Sequence, residues 1–311
     1  MKQIKLPNGL EVSPVALGAM NFGTTTSKNA SYAVLDAYVD FGGNFIDTSN
    51  NYAHWQGTGD ESETLLGEWL KDRGNRDHLV IATKVGFDRH GTGQGLKKEQ
   101  IEYWIDESLR KLGTDYIDLY YAHTDDPTTP LAETMEAFHR LVEKGKVRTL
   151  GGSNYDTWRF AEANAIASAN ELTPYTVLQQ KFTYLYHRAD IIPDYTFNEA
   201  ATRECLRYLK AKNIPLVAYT SLAKGGYDVP ERLPHNLIAG DRLAFLREMA
   251  REKGVSPSTL AVAWMVNLYR CEGFPTVIPL FASSSVTRFT SNLRGVELSL
   301  TDDEMHALCK A

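Results

Sequence analysis

From residue 15 onward the chain alternates between short apolar runs and longer segments in which apolar positions recur every three or four residues. The runs have the length of buried parallel strands, and the segments between them have the spacing of amphipathic helices. Strands are predicted over residues 15–18, 44–47, 78–84, 116–123, 147–153, 176–180, 215–220 and 276–280. Helices are predicted over 29–41, from Asp60 through Leu65, Leu66, Trp69 and Leu70, over 97–112, from Thr129 to near Gly145, and over 155–170 and 198–212. Two more, 241–253 and 256–270, lie between the last two strands. Several boundaries carry their own chemistry. Asp60 with Glu63 has the form of a capping box, Thr129-Pro130 that of an N-cap and first-turn proline, and Gly113 that of a helix stop. Ahead of this pattern, residues 2–6 and 10–13 read as a hairpin turned at Asn8-Gly9, a dipeptide suited to a type I′ turn.

Strands that alternate with helices are joined by crossovers and run parallel, and eight of them in about 270 residues suit a closed (β/α)8 TIM barrel better than an open sheet. No Pro/Gly/Ser-rich linker interrupts the rhythm, so residues 1–311 read as a single domain. Two stretches exceed the simple unit: 181–197, and 221–234 with its Lys224-Gly225-Gly226. Long loops on a barrel are commonly functional.

Composition narrows the activity. The hydrophobic fraction of 43% supports a sizeable core, and a net charge of -6 with no Lys/Arg cluster argues against nucleic acid as a partner. Cys205, Cys271 and Cys309 are far apart, odd in number and outside any Cys-x-x-Cys arrangement, which disfavours a disulfide framework or a zinc site. The N-terminus lacks an apolar signal core and no run of eighteen apolar residues occurs, so no membrane partner is expected and a cytoplasmic protein is the default. Oligomeric state has no signature in the sequence.

Closing the barrel would bring the C-terminal ends of its strands to one mouth, where reactive groups gather. Asp47, Lys84 and His123 each end one of the apolar runs, and Tyr52 lies five residues beyond Asp47. Singly, Asp47 reads as a turn cap and His123 as a strand-end histidine; a lysine ending a buried run needs a carboxylate, and Asp47 is the nearest. A phenol has an ordinary pKa of about 10, which a neighbouring ammonium lowers, so Lys84 is expected to make Tyr52 a usable proton donor. His123 could then hydrogen-bond a carbonyl oxygen. Such a group suits protonation of a carbonyl that is becoming an alkoxide. No side chain supplies a hydride, so a nicotinamide or flavin cofactor is implied. A metal-dependent barrel hydrolase would need a His/Asp ligand cluster at several strand ends, which is lacking. Phe22, Trp55, Phe87, Tyr186 and His187 are candidate pocket walls, and Asp125 with Asp126 would add acidity suited to a neutral, hydroxyl-rich substrate.

The motifs Gly18-Ala-Met-Asn-Phe-Gly23, Asn44-Phe-Ile-Asp-Thr-Ser-Asn-Asn-Tyr52, Ile81-Ala-Thr-Lys84, Asp115-Tyr-Ile-Asp-Leu-Tyr120 and Gly151-Gly-Ser-Asn154 occur in this order. With them the chain resembles the aldo-keto reductase superfamily, in its bacterial-type members, over almost its whole length. The resemblance implies a catalytic tetrad at Asp47, Tyr52, Lys84 and His123, with Tyr52 as acid/base. It also implies a nicotinamide cofactor bound across the mouth without a Rossmann glycine fingerprint; no G-x-G-x-x-G follows a strand here. The implied cofactor contacts are Gly18, Met20, Asn21, Ser221, Leu222 and Gly225, with Ser153, Asn154 and Gln180 at the carboxamide and Tyr219 stacked on the ring. Gln179 adjoins Gln180, and a slip of one residue would exchange their faces. At the adenosine end the resemblance assigns Ser283 to a phosphate, Asn292 to adenine and Arg288 to a 2′-phosphate, which favours NADP (NADPH) and leaves NAD possible. Two departures stand out: Leu280-Phe281 after Pro279 in place of glycine, and Ala282 where many relatives carry a basic residue. The expected activity is reduction of an aldehyde or ketone, or the reverse alcohol oxidation, with sugar-derived or small aldehydes as leading substrates. A cofactor-binding regulatory protein, like the potassium-channel β-subunits of the same fold, is the alternative.

Overall fold

The computed structural model describes residues 1–87, 95–188 and 200–311. A two-stranded antiparallel hairpin, β1 (Ile4–Lys5) and β2 (Glu11–Val12), precedes the barrel. The barrel strands are β3 (Ala16–Gly18), β4 (Phe45–Asp47), β5 (Val80–Val85), β6 (Ile117–Ala122), β7 (Val147–Ser153), β8 (Tyr175–Lys181), β9 (Leu216–Tyr219) and β10 (Val277–Phe281). Each pairs in parallel with its neighbours in chain order, and β10 pairs with β3 to close the ring. This is the (β/α)8 barrel that the alternation predicts.

Around it lie α1 (Lys28–Asp40), α2 (Glu61–Arg73), α3 (Lys98–Leu112), α4 (Leu131–Glu143), α5 (Thr157–Ala169), α6 (Arg203–Lys212), α7 (Gly240–Glu252), α8 (Pro257–Asn267), α9 (Val286–Leu293) and α10 (Asp302–Lys310). The last helix, closed at its start by a true capping box of Thr301 and Glu304, is additional to the sequence reading. Residues 189–197 of the expected irregular stretch, and the first two residues of the helix expected from Asn198, lie outside the described residues.

Side chains alternate across a strand, so each strand feeds two cores. Phe45, Ala82, Leu119, Tyr121, Val177, Val217 and Ile278 fill the barrel interior, where Leu6 and Val12 of the hairpin join them. The opposite faces pack against the helices. The hairpin covers the end of the barrel at which Pro215 and Thr276 lead into β9 and β10. The mouth at the strands' C-terminal ends is thereby left for function.

Three local expectations change. The hairpin turn is not type I′: the Gly9 amide donates to Leu6 O (2.9 Å) and only Gly9 has positive φ (+89°). Pro7 fixes a negative φ and so favours a type I turn followed by a left-handed glycine. Asp60 makes no capping hydrogen bond; its carboxylate pairs with Lys111 at 2.6 Å, and Glu63 is fully buried, accepting from Thr83 Oγ1 at 2.7 Å. Glu61 instead takes the loop amides of Thr58 and Gly59. Before α4 the capping position falls on Pro130, because the Thr129 hydroxyl donates to Asp126 (2.6 Å). Gly113 does end α3, in the left-handed conformation at φ 62°. Cys271 and Cys309, distant in sequence, come within 3.3 Å at their sulfurs as free thiols.

Candidate active site

The site grows out of strand parity. Phe45 faces the barrel interior on β4, so Asp47 faces inward two residues on, one step nearer the mouth; Ala82 and Lys84 stand in the same relation on β5. Asp47 and Lys84 have no exposed side-chain surface and pair at 2.5 Å through Asp47 Oδ1. The Lys84 ammonium also donates to Thr48 O (2.7 Å) and to Tyr52 Oη (2.6 Å). Tyr52 Oη donates to Asp47 Oδ1 at 2.8 Å. The second carboxylate oxygen accepts from Gln179 Nε2 at 2.8 Å. His123 follows β6, tied by its amide to Val85 O (2.7 Å), with Nδ1 3.1 Å from Ser49 Oγ and its ring edge-on to Phe87 (centroids 4.6 Å) and Tyr52 (5.8 Å). Asp47, Tyr52, Lys84 and His123 therefore converge.

Burial governs the electrostatics. Tyr52 has its pKa raised well above 10, first by desolvation and then by the Asp47 charge, so the expectation that Lys84 would lower it is reversed. Desolvation also lowers the Lys84 ammonium, against the opposing pull of Asp47. His123 is pushed well below its ordinary 6.5 by desolvation and by the Lys84 charge. At neutral pH the imidazole is neutral and the phenol protonated.

Of the remaining predicted residues, Ser153 and Asn154 lie at the end of β7, where the Asn154 amide donates to His123 O (2.8 Å) and accepts from Tyr219 Oη (2.7 Å). Gln180 is turned away: its amide donates to Tyr155 O (3.4 Å), whereas Gln179 reaches Asp47. The signal was present, since Val177 faces inward and residue 179 shares its parity. Phe22 is 1% exposed and packs in the helix-facing core, which removes it from the pocket wall. Phe87 touches His123, while Trp55 and Tyr186 expose 59% and 58% of their surface. Asp125 is held by Arg159 (2.7 Å) and Asp126 by Thr128, Thr129 and the Leu96 amide, so neither adds a free carboxylate to the mouth. Ser49 and the Thr48 carbonyl are site groups that the sequence reading passed over.

Gly18 ends β3 and Met20 is 39% exposed just beyond it, with Asn21 in the turn that follows. Ser221 is buried and donates to Leu280 O (2.9 Å), ahead of Leu222 and the positive-φ Gly225. Ser283 lies in the loop before α9, and Arg288 and Asn292 are on that helix. The exposed Arg288 guanidinium makes no ion pair or hydrogen bond among the described residues. A donor fork left open at a helix start suits a phosphate, and the Asn154 amide beside Tyr219 and His123 offers polar recognition near the tetrad. A nicotinamide dinucleotide fits this donor set.

A sequence model of the Aldo/keto reductase family matches residues 14–311. Among curated relatives, norsolorinic acid reductase of Emericella nidulans is 32% identical, with 96% of this chain and 78% of that protein covered. Norsolorinic acid reductase B of Aspergillus parasiticus is 32% identical over 99% of this chain and 82% of its own length. Aryl-alcohol dehydrogenase [NADP(+)] of Phanerodontia chrysosporium is 30% identical, over 96% of this chain and 82% of its own. These relatives are fungal, where the motifs had suggested a bacterial type.

Proposed function

The chain belongs to the aldo/keto reductase family, and from that premise we propose that it reduces an aromatic aldehyde or ketone with NADPH, or runs the reverse alcohol oxidation. The observation that carries this reading is the buried Asp47–Lys84–Tyr52 cluster with a neutral His123 beside it. When bound, the nicotinamide dinucleotide supplies the hydride. The chain supplies the proton and the surface that orients the carbonyl. Tyr52 keeps its proton at neutral pH, so it is in the form that can give it up as the carbonyl oxygen gathers charge. Lys84 Nζ, 2.6 Å from the phenol oxygen, stabilises the phenolate left behind. Asp47 fixes that ammonium, and Gln179 occupies its other oxygen. His123 donates a hydrogen bond to the carbonyl and steers it toward Tyr52.

Two features support the finer parts of this reading. Arg288 favours NADP over NAD, in line with the cofactor in the name of the aryl-alcohol relative. For the substrate, Asp125 and Asp126 are engaged elsewhere, which removes the ground for a hydroxyl-rich molecule. Phe87 against His123, with Trp55 59% exposed on the loop after Tyr52, favours a flat aromatic partner.

NADPH absorbance followed against aromatic aldehydes, aliphatic aldehydes and sugars, with NADH in parallel, tests the proposal. Aromatic carbonyls with NADPH should give the highest kcat/KM. A preference for sugars would overturn the substrate class. Tight NADPH binding with negligible turnover across the panel would make the protein a cofactor-dependent binding partner instead. Tyr52→Phe should keep cofactor affinity and lose turnover by about 100-fold or more; full activity in that variant would overturn the mechanism.

A further inference from the structure

Among the described residues, His123 hydrogen-bonds through one ring nitrogen. Nδ1 lies 3.1 Å from Ser49 Oγ, and Nε2 makes no hydrogen bond among the described residues. Ser49 is fully buried, and its hydroxyl lies 2.9 Å from Asn51 Oδ1, to which it can donate, and 3.5 Å from Asn50 Oδ1. A hydroxyl has one proton, so Asn51 and His123 compete for it. The outcome matters because a neutral imidazole also carries one proton, and the partner of one nitrogen decides which nitrogen bears it. Charging the ring would remove the constraint, but burial and Lys84 oppose that.

A carbonyl oxygen only accepts hydrogen bonds. To hold one, His123 must present Nε2–H, and Nδ1 must then accept. The Ser49 hydroxyl is the group positioned to donate to it. If the hydroxyl points at Asn51 instead, Ser49 Oγ accepts from Nδ1–H and Nε2 faces the site as a bare acceptor, able to receive the hydroxyl proton of an alcohol. We propose that Ser49 is a positioning residue whose hydroxyl, turning between Asn51 and His123, fixes the imidazole and selects its tautomer, with Nε2–H presented for carbonyl reduction. This deepens the reading of His123 as the group that orients the carbonyl and rests on it. Ser49 forms no bond to substrate; it acts through His123. Phe87, edge-on at 4.6 Å, limits the ring from another side, so the loss of Ser49 should shift the tautomer without releasing the ring.

The test combines two readouts on the full chain with NADPH bound. Nitrogen-15 spectra of histidine-labelled protein report the tautomer directly and do not depend on turnover. With NADPH and a non-reducible carbonyl analogue, His123 should show the Nε2–H pattern in the native chain. Ser49→Ala should move it toward a mixture of the two tautomers, and Ser49→Thr should restore it. In steady-state reduction Ser49→Ala should lose about tenfold in kcat/KM, recovered by Ser49→Thr. A native chain showing the Nδ1–H pattern with the analogue bound would overturn the proposal, as would a Ser49→Ala variant with unchanged spectrum and unchanged kcat/KM. Native tautomer behaviour as expected, in a chain that turns over no carbonyl, would leave the Ser49 assignment standing and overturn the reductase reading instead.

Discussion

An ammonium with no exposed surface is tolerable only if its three protons are taken, and Lys84 spends them on Asp47 Oδ1, Thr48 O and Tyr52 Oη. In this arrangement the Tyr52 hydroxyl donates to Asp47 and has to turn to the carbonyl when one binds. The pKa of the phenol decides how that step depends on pH. With the value raised by burial and by Asp47, the acid form persists well into alkaline solution. Reduction should therefore hold its kcat/KM as pH rises from about 6 to about 9, while alcohol oxidation, which needs the phenolate, should climb over the same range. A reduction profile that falls with a midpoint near neutrality would mean that the Lys84 charge outweighs burial. The four residue types and their convergence were legible in the sequence. The direction of the Tyr52 shift was not, because a phenol next to an ammonium gives the sign of one interaction and nothing of the desolvation that exceeds it.

Whether a strand-end side chain enters the site depends on the parity of its strand. Alternation read forward from Phe45 and Ala82 puts Asp47 and Lys84 inward, and the same reading from Val177 selects Gln179 over Gln180. Parity was thus available in the sequence, but the adjacent glutamines hid which one it favoured. Less legible were long-range pairings such as Glu63 with Thr83 and Lys111, which override the local capping logic of α2. The connection from α1 to β4 is another. Tyr38 of α1 is fully buried, its hydroxyl 2.8 Å from Val15 O and 2.9 Å from Phe45 O, so it ties the helix to the residue that leads into β3 and to the strand that carries Asp47. A Cβ on Gly43 would lie 2.2 Å from the Tyr38 ring. Gly43→Ala should accordingly destabilise the fold by about 1–3 kcal/mol, read as a lower urea midpoint at unchanged m-value. It should also lower activity more than a Lys71→Ala control on the exposed face of α2. Equal midpoints for native and Gly43→Ala proteins would mean that Tyr38 moves aside freely.

Eight apolar runs separated by helical spacing dictate a closed barrel, because parallel strands need crossovers and the crossovers bury both faces of the sheet. That is why the whole architecture could be read from the chain while several individual turns and caps could not. The same closure sets how the molecule responds to acid. His187, on the loop after β8, is pushed down to about 4, first by burial and then by the Lys181 charge, and His123 is depressed for the same kind of reason. An unfolded chain takes up these protons near the ordinary histidine value of 6.5, whereas the folded chain refuses them until the pH is far lower. The stability that His187 contributes is complete above about 6.5 and is lost as the pH falls toward about 4, and that of His123 is lost in the same direction. At lower pH Asp36, held low by Arg73, and Asp126, held low by its hydrogen bonds to Thr128, Thr129 and the Leu96 amide, continue the loss with the same sign. Urea unfolding at several pH values should show the midpoint falling through this window, and His187→Gln should flatten the slope by removing one of the protons that the unfolded state gains. A midpoint constant between neutral and mildly acid solution would show that neither histidine is held neutral by the fold.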